Sequence, residues 1–400
     1  MMQKEAVHEK KGAIGQSVTL QEISDFITKG STPTTYGFDW VEHGILFLRS
    51  ECVSETGLNL DQSMYISEKA HHSLKRSEVR GNDILMTITG NVGRVALFNV
   101  HGAANINQHI ARIRIIHKEV DNQYVYHYLK QTSVRKGFES IVTGQAYPQI
   151  SLRQVRDAEI FLPPLPEQRA IATALTDTDD LIESLERLIA KKRRIKEGVM
   201  GELLSGERRL EGFEGEWESR KMGDDITLVS GHHVLSHHCN SKGIGMAYIT
   251  GPADFKSGKI SATKYVTQPT SLCKEGDVLL TVKGSGVGTI ARADRQYCIS
   301  RQLMAIRSSA WSQEFLYFAI QAEVESLKRE TAGLIPGLSR SDVLNTTIRL
   351  PVSLPEQRAI ATLLTDMDQE IEALEGKVAK VRRVKEGMMG ELLGGRVRLV

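Results

Sequence analysis

The spacing of apolar residues along this chain predicts two long helices, in segments 165–210 and 354–399. Pro166 and Pro355 stand near the start of these segments, each followed by Glu. This suits a first helical turn, because proline removes only an unbonded N–H and glutamate favours the positive end of a helix. Apolar residues then recur at heptad-like spacing, at Ile171, Ala174, Leu181, Leu185, Leu188, Ile195 and Val199 in the first segment and Ile360, Leu363, Met367, Leu374, Val381, Val384 and Met388 in the second.

An apolar seam at heptad spacing requires a partner helix. The simplest partner of each helix is the other one, so we expect a two-helix antiparallel coiled coil. The alternative is two unrelated surface helices, each docked on its own domain.

The two helical segments are copies of each other. The 46 residues 165–210 return at an offset of 189 residues without a gap, and 32 of the 46 positions are identical. Upstream the match is looser: 81–93 corresponds to 276–288, and Gln108 to Gln302. This is duplication of a whole unit, in which a divergent body precedes a nearly invariant tail. Two such copies are expected to share a scaffold and to differ in the ligand features that each body recognises.

The bodies have the pattern of an α+β (mixed α/β) fold. Short runs typical of strands lie at 45–48, 83–88, 111–116 and 277–282, and helical stretches at 123–136 and 312–329. Regular βαβ alternation is absent, which argues against a doubly wound parallel sheet. The expected architecture is a pseudo-two-fold repeat with an N-terminal extension (1–16), a first body (17–160), a central helix (161–210), a second body (211–348) and a distal helix (349–400).

Composition restricts the function. The 400 residues include 51 Lys plus Arg and 49 Asp plus Glu, a net charge of +2, so any grip on nucleic acid must be local. No apolar run approaches the roughly 20 residues of a membrane span, and the charged opening lacks the apolar block of a signal peptide. We therefore expect a cytoplasmic protein without a membrane partner. The four cysteines form no CxxC, which argues against a zinc ribbon or a disulfide framework.

Residues typical of catalysis are not grouped in recognisable motifs. The glycines of 284–288 fit a tight turn better than a dinucleotide loop, and neither a GxxxxGK[ST] phosphate loop nor an Asn/Asp-Pro-Pro segment occurs. Asp179 and Asp180 are expected on a solvated helix face. We interpret three histidine pairs as exposed loop residues rather than metal ligands: His71 and His72, His232 and His233, His237 and His238.

Basic residues late on both helices allow two interpretations. The segments 191–196 and 382–385 are either solubilising faces that pair with neighbouring acids, or contacts to phosphate or to an acidic partner. Polar loops at corresponding places in the two bodies carry donors suited to base edges and phosphates.

Several motifs together resemble the specificity subunit of type I restriction-modification enzymes. The tails match through LPEQRAIA, the KEGxMGELLSGERRL ending and Glu211-Gly-Phe-Glu-Gly-Glu-Trp217. The first body matches through Gly30-Ser-Thr-Pro33, Gly81-Asn-Asp83, Asn107-Gln-His109 and Pro148-Gln-Ile-Ser151. The resemblance covers 17–400. The second body departs from it, with Gly231-His-His-Val in place of Gly-Ser-Thr-Pro and no Asn before Gln302.

This resemblance implies two target-recognition domains, each reading one half of a bipartite double-stranded DNA target. The helices would act as a spacer ruler: the 39 residues 166–204 span about 58 Å, or about 17 base pairs. The resemblance also implies a non-catalytic subunit that recruits two adenine methyltransferase subunits and two restriction/translocase subunits. S-adenosylmethionine, ATP and magnesium would then belong to those partners, with no cofactor in this chain.

The polar loops and the resemblance together define the candidate site residues. Expected DNA contacts are Lys29, Thr32, Arg94, Gln145, Tyr147 and Arg153 in the first body, with Lys283, Ser285, Arg301 and Arg340 in the second. Residues expected to fix the domain-to-helix junction or to face the methyltransferase are Pro166, Gln168, Arg169, Pro355, Gln357 and Arg358.

Two other classes of function stay open at this point. One is a protein-protein interaction scaffold whose coiled-coil tails join assemblies. The other, a self-sufficient methyltransferase or nuclease, conflicts with the missing catalytic motifs.

Overall fold

The computed structural model describes residues 15–144, 147–256, 259–284, 286–330 and 337–399. They belong to two compact units. The first unit combines the chain up to Leu185 with Lys377–Val400, and the second unit is Glu186–Gly376. No helix in the described part of the chain is both long and apolar enough to cross a membrane.

In its described residues the first body contains eleven strands and five short α-helices, and a long helix follows it. The strands are β1 (Gln16–Thr19), β2 (Thr28–Lys29), β3 (Trp40–Val41), β4 (Ile45–Leu48), β5 (Met64–Ile66), β6 (Glu78–Val79), β7 (Ile84–Thr87), β8 (Val95–Leu97), β9 (Ala104–Ile106), β10 (Ile110–Ile113) and β11 (Glu159–Leu162). The helices are α1 (Leu20–Ile23), α2 (Glu68–Ser73), α3 (Asn122–Leu129), α4 (Thr132–Ser140), α5 (Leu152–Arg156) and the long α6 (Leu165–Ser205).

The second body repeats the order of the strands with one extra hairpin, but its described residues contain fewer α-helices. Its strands are β12 (Trp217–Lys221), β13 (Ile226–Ser230), β14 (Cys239–Asn240), β15 (Met246–Ile249), β16 (Phe255–Lys256), β17 (Lys259–Ile260), β18 (Lys264–Val266), β19 (Leu272–Cys273), β20 (Val278–Thr281), β21 (Ile290–Arg292), β22 (Tyr297–Ile299), β23 (Leu303–Ser308) and β24 (Thr347–Pro351). Its helices are α7 (Met222–Asp225), α8 (Gln313–Glu330), α9 (Arg340–Asn345) and the long α10 (Leu354–Leu392).

The sheets of the two bodies have the same strand order. The pairs β1-β11 and β12-β24 correspond, as do the four-stranded sheets β2-β10-β7-β8 and β13-β23-β20-β21. The five-stranded sheets β3-β5-β4-β9-β6 and β14-β18-β15-β22-β19 also correspond, and each contains one parallel pair, β4 with β9 and β15 with β22. The second body adds the hairpin β16-β17. The predicted α+β class with an internal repeat is confirmed.

The predicted elements are found with small changes. Strands 83–88, 111–116 and 277–282 are shorter or shifted by a residue or more, as β7, β10 and β20, and the helical stretch 123–136 is divided between α3 and α4. The loop assignment of two histidine pairs is wrong. His71 and His72 lie on α2, and His237 and His238 lie in a short 3-10 helix. No group of three or more metal-ligating side chains occurs within the described ranges.

The long helices pack antiparallel within each unit, along a seam that was predicted in part: eight of the fourteen predicted seam residues face inward, and five are exposed. Leu181, Leu188, Ile195, Leu363 and Val384 are exposed, so their assignment to the seam is wrong. In the first unit the inward positions are Ile171, Leu175, Thr178, Ile182 and Leu185 with Val378, Val381, Lys385, Met388 and Leu392. In the second unit they are Ile189, Lys192, Lys196, Val199 and Leu203 with Ile360, Leu364, Met367, Ile371 and Leu374.

Each seam continues into the core of a body. In the first unit Ile171 and Leu175 of α6 and Leu392 of α10 pack with Tyr124 of α3 against the four-stranded sheet. The corresponding second cluster contains Ile360 of α10, Leu203 of α6 and Phe315 of α8. The helices are therefore part of the domain cores, because each body buries an apolar sheet face that they help to cover.

The seam assignment predicts different costs for two leucines on α6. Replacing buried Leu185 by Ala should lower the free energy of unfolding by about 2–5 kcal/mol, because it removes packed methyl groups and leaves a cavity. The matched change Leu188→Ala, at a side chain that is 38% exposed, should stay within about 0.5 kcal/mol. Urea unfolding of both variants measures this, and equal costs would contradict the seam.

Candidate nucleic-acid interface

A repeated glutamine holds the start of each long helix to its body. The Gln168 amide Nε2 donates to the Pro163 carbonyl at 2.8 Å, and its Oε1 accepts from the Asp121 N–H at 2.9 Å. Asp121 is the N-cap of α3. Gln357 makes the same pair of bonds, to the Pro351 carbonyl and from the N–H of Ser312, which directly precedes α8, both at 2.8 Å.

The glutamate beside each glutamine is clamped by an arginine from the tail that follows the other helix. Arg209, beyond the end of α6, makes two bonds to Glu356, Nε–Oε1 at 2.6 Å and Nη2–Oε2 at 2.7 Å. Arg398, beyond α10, makes the same contact with Glu167, its Nε donating to Oε1 at 2.5 Å. Both carboxylates are buried, and Glu356 also accepts from the Trp217 indole N–H at 3.3 Å.

The proline and the arginine of the repeated LPEQR segment face outward. Pro166, Arg169, Pro355 and Arg358 are all exposed. Neither Arg169 nor Arg358 has a hydrogen bond or ion pair with the described residues. Each helix start thus has an inward side that holds the body and an outward side that the body does not use.

Several charged residues of the two helices pair with each other. Lys385 Nζ lies 2.5 Å from Asp179 Oδ1 in the first unit, and Lys196 Nζ lies 2.6 Å from Asp368 Oδ1 in the second. Asp179 therefore does not belong to a solvated face, which corrects the expectation for this residue. The basic segment 191–196 pairs with acids of α10 through Lys192 with Glu370, Arg193 with Glu375 and Lys196 with Asp368.

Motif residues of the bodies serve the scaffold. Asp83 of the Gly-Asn-Asp segment is 1% exposed and accepts two hydrogen bonds from Arg114, each 2.7 Å. Asp277 accepts the same pair from Arg307 at 2.7 and 2.5 Å. Gly30 is required by close approach, because a Cβ there would lie 1.7 Å from the Ile106 carbonyl oxygen.

Thr32 and Tyr147 of the first body are brought together by a polar chain. The Thr32 hydroxyl donates to Gln108 Oε1 at 2.5 Å, and Gln108 Nε2 lies 3.1 Å from His109 Nε2. The ring of exposed Tyr147 stands edge-on to His109, with centroids 6.3 Å apart. Thr32, Gln108, His109 and Tyr147 therefore form one polar surface.

The other candidates of the first body lie elsewhere or have other partners. Lys29 is exposed on β2. Arg94 pairs with Glu55 at 3.1 Å, and Arg153 with Asp157 at 3.5 Å. Gln145 lies outside the described residues.

In the second body Lys283 and Arg301 are exposed, and Arg340 is partly engaged. Lys283 forms an isolated backbone bridge with Gly337. Arg301 stands beside exposed Gln302, in the place of the Gln108 loop. The Arg340 Nη1 donates to the Leu228 carbonyl at 2.7 Å. Ser285 lies outside the described residues.

One buried site differs between the bodies. His127 of α3 is 1% exposed, and burial, with Lys385 and Lys130 nearby, lowers its pKa to about 3, against a smaller opposing effect of Asp179. Its Nε2 lies 3.0 Å from the Thr176 hydroxyl, while Nδ1 has no partner. Phe318 occupies the corresponding place on α8, where Lys196 lies 5.3 Å from its ring centroid.

These features define a chain of two matching α+β bodies, each anchored on a long helix through the same glutamine and glutamate. The sequence model of one protein family, the type I restriction modification DNA specificity domain, matches this chain twice, over residues 16–192 and 214–383. The chain therefore belongs to this family.

Individual relatives are distant in sequence and similar in length and fold. A Methanocaldococcus jannaschii protein assigned as the type I restriction enzyme MjaX specificity subunit is 24% identical over 411 residues, which cover 97% of this chain and 95% of that protein. The crystal structure of the type I restriction-modification S subunit from M. genitalium shares the fold, with a TM-score of 0.65, 17% identity and coverage of 97% and 98%. A chain from a study of complex assembly in the type I R-M system has a TM-score of 0.61, 21% identity and coverage of 96% and 99%.

The buried His127 predicts a pH dependence of stability. Between pH 6.5 and about 3 the unfolded chain takes up a proton that the folded chain excludes, so the His127 contribution falls as the pH falls through this window. His127→Phe, the residue type of the second body, should make the melting temperature less sensitive to pH between 6.5 and 4. Exposed His233→Phe is the control, and an unchanged pH profile in His127→Phe would contradict the burial of a neutral imidazole.

Proposed function

We propose that this chain is the DNA-sequence-recognition subunit of a type I restriction-modification complex, with one half of a bipartite target read by each body. The observation that carries the proposal is a shared scaffold with different loops. Strand order, the buried Asp–Arg pairs and the glutamine anchors are the same in both bodies. The loop after the close-packed glycine differs, with Ser31-Thr32-Pro33 in one body and His232-His233-Val234 in the other.

The exposed donors of these loops suit contact with DNA. Thr32 and Tyr147 lie on one polar surface in the first body, and Lys283 and Arg301 are exposed in the second. Hydroxyl and guanidinium groups are the donors that read base edges and hold phosphates. A net charge of only +2 is compatible with this role if the positive charge is concentrated on such loops.

The long helices are proposed to act as a spacer ruler and as the docking scaffold for methyltransferase subunits. Gly198 and Gly387 support docking, because they occupy corresponding places inside the two helices, and an added Cβ at either would meet nothing within 4 Å. A helical glycine costs about 1 kcal/mol relative to alanine. No contact within this chain requires the missing side chain. A partner protein would benefit from it, because its atoms could approach the helix backbone closely at these glycines.

Each long helix carries one such glycine, so the chain has two docking surfaces, one for each of two methyltransferase subunits. The outward-facing residues Pro166 and Arg169, with Pro355 and Arg358 in the other copy, are proposed to contact these subunits. Gln168 and Gln357 are assigned the junction. The same scheme includes two restriction/translocase subunits and leaves S-adenosylmethionine, ATP and magnesium to the partners, so this chain is non-catalytic and acts with DNA in the cytoplasm.

Exchange of one body tests the proposal. Replacing residues 17–160 by the corresponding body of another family member should change one half-site of the methylated sequence and leave the other intact. Methylome sequencing of a host that carries the chain with its methyltransferase measures this. The constant number of base pairs between half-sites should also be unchanged, because both helices are retained.

The matched control exchanges residues 222–345 instead and should change only the other half-site. An unchanged methylation motif in both exchanges, or loss of the whole motif with a folded complex, would refute separate reading by the two bodies. Binding of proteins without any DNA dependence would favour an interaction scaffold.

Alanine at the two helical glycines tests the docking surfaces. Gly198→Ala with Gly387→Ala should raise the free energy of unfolding of the chain by about 1–2 kcal/mol, because alanine is the better helix former. The same change should weaken assembly with the methyltransferase, measured by titration calorimetry. Ser184→Ala, at an exposed position of α6, is the control and should leave assembly unchanged; equal assembly in all variants would remove these glycines from the interface.

A further inference from the structure

An exposed phenylalanine in the first body is flanked by two arginines. Phe26 precedes β2 and is 59% exposed, which is unusual for a side chain of this type. The guanidinium carbon of Arg76 lies 5.6 Å from its ring centroid, and that of Arg156 lies 5.1 Å away. Both distances are within the range of a cation–π contact, so the ring and the two cations form one cluster.

Both guanidinium groups are held in place by single hydrogen bonds. Arg76 Nε donates to the Thr28 hydroxyl at 2.8 Å, and Arg156 Nη2 donates to the Ile27 carbonyl at 2.8 Å. Because each bond uses one N–H group, the other donors of each side chain keep a fixed direction and have no acceptor among the described residues.

Neither arginine is neutralised by a described acidic side chain. Neighbouring arginines of the same body are, as Arg114 is by Asp83 and Arg135 by Glu55 and Glu139. The adjacent carboxylate, Asp25, accepts the Phe26 backbone N–H at 2.7 Å. The cluster therefore presents two positive charges, with oriented donors, on an aromatic support.

We propose that Phe26, Arg76 and Arg156 form a phosphate clamp that fixes the first body on the backbone of double-stranded DNA. Guanidinium groups that stack on a ring retain their planar edge for bidentate contact with a phosphate, and their pre-set orientation reduces the entropy lost on binding. The clamp carries no base-reading group, so it positions the body for every sequence alike. This inference rests on the proposed function in DNA recognition.

The second body keeps part of the arrangement. Arg340 of α9 donates to the Leu228 carbonyl on β13, as Arg156 of α5 donates to the Ile27 carbonyl just before β2. The described part of the second body shows no exposed aromatic ring against Arg340. The second body therefore has only one arginine for a phosphate contact, whereas the first body has the complete clamp of two arginines and a ring.

The test uses the full chain assembled with its methyltransferase and measures the dissociation constant for cognate and non-cognate duplex at several salt concentrations. Arg76→Gln with Arg156→Gln should weaken both duplexes about equally, by roughly tenfold or more at moderate salt. The slope of log affinity against log salt should fall by about 1–2, because each lost phosphate contact removes about 0.9. The control Arg80→Gln with Arg220→Gln alters two exposed arginines that have acidic partners, and should stay within about twofold.

Phe26→Leu keeps an apolar side chain, removes the ring face and leaves both charges. It should weaken binding less than the double variant and leave the salt slope nearly unchanged. Melting temperatures within a few degrees of the parent establish that each variant is folded. If Arg156→Gln unfolds the body, Arg156→Lys replaces it, and the expected fall in salt slope is then about 1, from the lost charge of Arg76 alone.

Three results would overturn the clamp. Unchanged affinity and salt slope in the double variant would exclude phosphate contact, and loss on the cognate duplex alone would identify base reading instead. Weaker assembly with the methyltransferase at unchanged DNA affinity would identify a protein contact. Failure of the parent complex to prefer its cognate duplex would instead refute the proposed function itself, and is recognised before any variant is made.

Discussion

Two buried carboxylates determine how each unit of this chain is assembled. Glu167 and Glu356 stand in the first turn of the long helices, almost without access to water. An isolated charge at such a place costs several kcal/mol, so each requires a cation. Arg398 and Arg209 supply it from the tails beyond the opposite helices. Since the adjacent glutamine bonds to the start of α3 or α8, one helical turn joins body, helix and tail.

The sequence was sufficient for the repeat, the helices and the α+β class, because these depend on local pattern. It predicted the seam only in part, because the inward face also includes Thr178, Lys192 and Lys196, while Leu181 and Leu188 point outward. A seam that holds lysines cannot be found from hydrophobicity alone, since their burial depends on acids of the opposite helix. The offset of 189 residues did contain a signal: both lysines and both aspartates of the Lys196–Asp368 and Lys385–Asp179 pairs occupy corresponding places in the two copies.

Candidate DNA contacts were harder to predict for a similar reason. Arg94 and Arg153 carry suitable charge, but each pairs with an acid. Asp157 is four residues from Arg153, whereas Glu55 is brought near Arg94 only by the fold. Arg156, three residues along the same helix as Arg153, has no such partner. An arginine becomes available to DNA through what surrounds it, and the surroundings are set by contacts such as that of Arg156 with Ile27, 129 residues away in sequence.

The division of the chain into units also orders its synthesis and folding. The second unit is one continuous segment, whereas the first is completed by residues that follow the whole second unit. Arg398 comes 231 residues after the Glu167 it neutralises, and Leu392 joins a core begun by the earliest strands. During synthesis all residues of the second unit therefore emerge before the last residues of the first unit, so the second unit can complete its core first. Until Leu392 and Arg398 have emerged, the first body exposes an incompletely covered apolar face and the unpaired Glu167. The nascent chain is therefore most prone to misassembly in the interval between completion of the second unit and completion of the first.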